Sequence, residues 1–132
     1  MPSTKSFRAD SSPISLASEP AAILQTQAEA LAADSDGLLF GTVEPSEAPP
    51  IGEVAYDLYI NVNNKPYRYL LLSVQHSLRS DCPIRISNTL AETITQVHDM
   101  ESLKRHLRLI FHAPATVQLL ERMKAFARQT AS

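Results

Sequence analysis

The sequence predicts an α+β protein: an antiparallel sheet of three to five strands centred on a hairpin, covered by a C-terminal helix pair, with a disordered N-terminal tail. Two observations carry this. Val54–His76 reads as two apolar, aromatic-rich runs flanking Asn63-Asn64, and asparagine tolerates the positive φ that a tight two-residue turn requires. Beyond it, apolar residues at three- and four-residue spacing run from Met100 to Ala127, and Pro114 divides them into two helices.

In chain order, residues 1–18 are rich in Ser, Pro and charge and are expected to form a disordered tail. Residues 19–53 are expected to be peripheral. Ser18 is the natural N-cap of a helix from about Glu19 to Ala33, with Glu19 and Pro20 in its first turn. Its apolar stripe of Ile23, Leu24, Ala28 and Leu31 is thin, which predicts weak docking. Leu38–Val43 reads as a short strand, and Glu44–Glu53, with three prolines and three glutamates, as an extended acidic linker. The core domain spans 54–129, and 130–132 is a frayed C-terminus.

With Asn63 and Asn64 as the turn, Ile60 faces Tyr67, Leu58 faces Tyr69 and Tyr56 faces Leu71. Tyr67–Val74 is apolar on both sides and predicts an interior strand covered on two faces. Val54–Val62 has a more polar second face and is expected at the sheet edge. Ile84–Ile86 reads as a short strand. Thr89–His98 admits two readings: Leu90, Ile94 and Val97 fall at helical spacing behind a Thr89/Glu92 capping box, while Thr93, Ile94, Thr95 and Val97 are β-branched. The helical spacing is preferred. Asp99 then caps a helix with Met100, Leu103, Leu107, Ile110 and Phe111 on one face, and a second helix after Pro114 presents Leu119, Leu120, Met123, Phe126 and Ala127.

Several chemistries lack their residues. There are three glycines and no Gly-x-Gly-x-x-Gly or Gly-x-x-x-x-Gly-Lys pattern, which disfavours nucleotide chemistry. Cys82 is the single cysteine, so no disulfide closes within the chain and no multi-cysteine zinc site forms. No secretory h-region or membrane-length apolar stretch occurs, so the expectation is a cytoplasmic protein without a membrane partner. His76, His98, His106 and His112 lack metal spacing. Cys82, His76 and Asp81 are the residue types of a thiol hydrolase, yet Cys82 precedes Pro83 in a loop with no local signature of a cysteine hydrolase family. The reading is therefore a protein that is not an enzyme, with no catalytic residues, cofactor or metal.

Binding is the function left. The net charge of −2 conceals a gradient from −7 over residues 1–57 to +4 over residues 100–132. All four tyrosines sit in the hairpin, and aromatic faces bearing hydroxyls suit interfaces. The expected protein-binding surface is Tyr56, Asp57, Tyr59, Asn63, Asn64, Tyr67 and Tyr69, offered through a hairpin edge strand or a tyrosine face to another protein or a second copy. A small cysteine- or histidine-dependent enzyme ranks last, and the main alternative is a nucleic-acid-binding regulator using Lys104, Arg105 and Arg108. Against it, the chain is acidic overall and Glu101 precedes Arg105 by one turn.

Overall fold

A computed structural model describes residues 18–47 and 49–129. The expected tail, but for Ser18, and the expected frayed residues 130–132 lie outside the described residues. Helix α1 (Glu19–Asp34) precedes a five-stranded antiparallel sheet of β1 (Leu39–Pro45), β2 (Glu53–Val62), β3 (Arg68–Ser77), β4 (Ile84–Asn88) and β5 (Thr93–Val97). Helices α2 (Met100–His112) and α3 (Pro114–Arg128) follow. Spatial strand order equals chain order, so the sheet is a meander with β1 and β5 at its edges. The α+β expectation is met, with the N-terminal helix added to the covering layer.

Helix ends obey local chemistry. The Ser18 hydroxyl accepts from the Ala21 N–H at 3.2 Å, and the Asp99 carboxylate accepts from the Ser102 N–H at 2.7 Å. That backbone bond, first among its causes, holds the Asp99 carboxyl below the ordinary carboxylate range. With its folded pKa depressed, its contribution to stability is present above the unfolded pKa and lost as pH falls through the folded one. Pro114 keeps Ala113 extended at φ −65, ψ 144, which separates α2 from α3.

The hairpin departs from the expected register in two steps. Lys65 N–H does bond the Val62 carbonyl around Asn63-Asn64, and Asn64 takes φ 63 as a turn asparagine can. But Val62 N–H bonds Tyr67, and the ladder opens with Asn61 opposite Arg68 and Ile60 opposite Tyr69, two residues later than expected. Pro66, lacking an N–H, sits in the widened loop instead of the ladder. A bulge then follows: Tyr59 pairs with Leu70 but Leu58 with Leu72, leaving Leu71 as the extra residue.

This bulge corrects the reading of β3 as a strand covered on two faces. Tyr69 before it and Leu72, Val74 and His76 after it all register with the inward residues Ile60, Leu58, Tyr56 and Val54. Leu71 and Leu72 are consecutive and both fully buried. One sheet face is thus mainly apolar, with His76 and Thr95 also registered on it, and the other is carried by residues of which none is buried, among them Thr42, Asp57, Tyr59, Leu70, Ser73 and Gln75.

Helices cover the apolar face. Leu24 and Ala28 of α1, Leu103, Leu107 and Ile110 of α2, and Met123 and Ala127 of α3 share one cluster with Leu39, Leu58, Ile60, Leu72, Ile84 and Ile86. α1 is therefore integral, not peripheral: its small residues let it approach closely. A Cβ built on Gly41 of β1 would stand 2.8 Å from the Cα and Cβ of Ala28, so only glycine fits under the helix there.

Two further expectations are corrected. β2 lies between β1 and β3 and is not an edge, because Leu39–Pro45 pairs along it from Val62 to Tyr56. Thr89–His98 holds a strand, not a helix. Thr93 to Val97 pairs with Asn88 to Ile84, and Glu92 at φ 56 turns the chain back; β-branching outweighs the partial helical spacing.

If the bulge places consecutive leucines inward, Leu71→Ala and Leu72→Ala each cost about 2–5 kcal/mol in urea unfolding. Leu70→Ala, on the open face, costs less than either. A regular strand would show a large loss at only one of Leu71 and Leu72.

Candidate functional site

The open face of the sheet contains two residues of the expected binding surface, Asp57 and Tyr59. The Asp57 carboxylate and the Tyr59 ring both find partners within the face. The Asp57 carboxylate accepts from the Ser73 hydroxyl at 2.7 Å and from Ser46. Arg68 bonds Glu44 at 2.6 Å and lies over the Tyr59 ring at 3.8 Å. Asn61 donates to Thr42 Oγ1 at 3.1 Å, Gln75 donates to Glu53, and Arg85 pairs with Glu53 at 3.2 Å. These are cross-strand pairs that stabilise a solvated sheet face.

The remaining tyrosines do not form one surface. Tyr56 is buried at the core, its ring 6.0 Å from that of His76, and its hydroxyl meets Ser18 at 3.5 Å. Tyr69 is half-buried on the inner face. Tyr67 is exposed and stacks on Phe126 of α3 at 4.7 Å and 10°. Asn63 binds back to the start of the sheet, its N–H to Leu38 and its amide to the Gly37 carbonyl, and Asn64 is exposed. Six of the seven expected residues thus face the core, another element or the sheet's own cross-strand partners, and Asn64 is the seventh.

Cys82 lies beside carboxylates. Asp81 accepts from the Glu19 N–H at 3.4 Å, and Asp99 caps the neighbouring helix. Burial first, then Asp81, Asp99 and Glu19, push the Cys82 thiol up from its ordinary value. His76 directs Nδ1 at the carbonyls of Ser77 (2.8 Å) and Ser80 (3.1 Å), which places the ring proton on Nδ1. Its Nε2 is buried without a hydrogen-bond partner, and no bond joins it to the thiol. Among the described residues, no group of three or more His, Cys, Asp or Glu side chains is placed to hold a metal ion. Nor is any described helix long and apolar enough to cross a membrane.

A groove between α1 and α2 is the site with unanswered chemistry. Its larger end, about 400 Å3, lies between Glu19, Ala22, Ile23 and Thr26 on one side and Lys104 and Arg108 on the other. Gln27 and Arg108 line both this end and a smaller one of about 150 Å3, where Leu31, Phe111 and Leu120 make the floor. Lys104, Arg108 and His112 stand at i, i+4 and i+8 along α2, one stripe on one wall. Asp34 and Glu19 mark the two ends of the α1 wall. Among the described residues the Arg108 guanidinium has no ion pair, and Lys104 reaches only Glu101 at 3.5 Å, an exposed pair of little strength. Of the expected nucleic-acid residues, Lys104 and Arg108 line the groove, while Arg105 is exposed outside its lining.

The basic stripe was readable from residue spacing. The opposing wall was not, because it depends on how α1 docks. That docking turns on Gly41 meeting Ala28, two small residues without any local motif.

At pH 8 iodoacetamide alkylates Cys82 in the folded protein more slowly than in the urea-unfolded chain, since less thiolate is present. Asp81→Asn accelerates the folded rate. A folded rate above the unfolded one would mark an activated thiol.

The chain matches no protein-family model, no curated protein and no solved structure.

Proposed function

We propose that this is a non-catalytic accessory protein that binds another protein by seating an amphipathic helix in the groove between α1 and α2. The observation that carries the reading is Arg108, which has no ion pair among the described residues and lines both halves of the groove, beside Ile23 in one and Leu31, Phe111 and Leu120 in the other. The groove follows α1 from Glu19 to Asp34, about 22 Å at helical rise, a length suited to an extended ligand. A helix laid there offers apolar residues at i, i+3, i+4 and i+7 to Ile23, Leu31, Phe111 and Leu120. An acidic row along its edge meets Lys104 and Arg108, which supplies orientation and on-rate.

The nucleic-acid reading draws on the same two cations. The apolar floor and the carboxylates of Glu19 and Asp34 weigh against it, since a phosphate chain following the groove would meet both.

Random peptides displayed against the full chain are expected to enrich helical sequences with an apolar stripe and acidic residues beside it. Arg108→Glu lowers their affinity by about tenfold or more, the scale of losing one charge-assisted contact. Enrichment of sequences without acidic residues, no enrichment, or affinity within twofold in the variant overturns the reading. Salt-dependent binding of a labelled oligonucleotide that Arg108→Glu abolishes supports the nucleic-acid reading instead.

A further inference from the structure

We propose that β5 is a self-pairing edge through which two copies of this chain join their sheets. The two sheet edges differ in kind. β1 carries Glu44, ion-paired with Arg68, and ends in Pro45, both features that discourage strand addition. β5, Thr-Ile-Thr-Gln-Val, contains no charge, glycine or proline, and four of its five residues are β-branched. It pairs only with β4, and among the described residues no other backbone bond reaches Thr93–Val97. Ile94, registered with Ser87 on the open face, is 71% exposed. An uncharged, β-branched strand with a bare backbone edge and an exposed isoleucine is a template for another strand.

The segment's own sequence identifies that strand. Laid antiparallel on a second copy about Thr95, it sets Thr95 across Thr95, Ile94 across Gln96 and Thr93 across Val97. The two Ile94 side chains become diagonal neighbours on one face and shield each other from water. One step outward, Glu92 of each copy comes level with His98 of the other, a carboxylate facing an imidazole. Both residues are exposed. The arrangement is two-fold and isologous, and because β1 is blocked at the far edge, assembly closes at a dimer with a ten-stranded sheet.

Sedimentation of the full chain over a concentration series tests this independently of the groove. The 14.5 kDa chain is expected to sediment at twice its mass. Thr95→Pro and Ile94→Lys each raise the dimer dissociation constant by about tenfold or more, while Arg108→Glu leaves it unchanged. Should Thr95→Pro disturb the fold by circular dichroism, Ile94→Lys decides, since its side chain is exposed in the single chain. A wild type that keeps single-chain mass to its highest soluble concentration overturns the proposal. So does a dimer whose stability neither substitution changes.

Discussion

The architecture depends on one extra residue. Without the bulge at Leu71, β3 would alternate, and one of Leu71 and Leu72 would face water along with the rest of its parity. The bulge turns both inward and lets the strand resume with Val74 and His76 on the same side. One face thereby becomes apolar enough to bury under three helices, and the other is left to hydroxyls, amides and ion pairs. A sheet sorted this cleanly needs only one covering layer.

That layer determines where interaction chemistry collects. On the open face, charges are answered in place: Asp57 by two serines, Arg68 by Glu44 and Tyr59. In the helical layer the small contact between Gly41 and Ala28 draws α1 down onto β1. α1 and α2 consequently meet along their inner sides while their charged outer sides stay apart, which leaves Glu19 and Arg108 on facing walls without an ion pair between them. The groove is a by-product of core packing that keeps polar groups unspent.

Much of the fold was legible from the chain, for reasons that differ by element. The caps at Ser18 and Asp99 and the break at Ala113 follow from local hydrogen bonding and proline sterics, and they stand where expected. The turn at Asn63-Asn64 was legible, but its register was not. Pro66 displaces the first pair by two residues, and the bulge shifts the pairing by one more, and neither leaves a mark in apolar alternation. β5 was misread because Leu90, Ile94 and Val97 imitate a helical stripe; the pairing with β4 that decides the matter is a tertiary fact. Alternation puts Tyr56 and Tyr69 on the apolar face and Tyr59 on the other, as found, but it cannot show that helices cover that face or that α3 docks on Tyr67, which leaves no open tyrosine face. Of the site, the cations on α2 were visible and the wall opposite them was not.

The meander has a kinetic side. Every strand pairs with the one just before or after it in the chain, so the sheet can form by successive short closures, none requiring a crossover. The longest-range closures are helical, α2 against α1 and α3 against β1 and β2, and they bring the end of the described chain back to its beginning. Short loops between paired strands favour fast formation of the sheet, and the larger loop-closure entropy falls on seating α2 and α3 against the N-terminal elements. Loss of α3 would accordingly uncover the sheet over β1 and β2 while leaving the local strand pairings their own short loops.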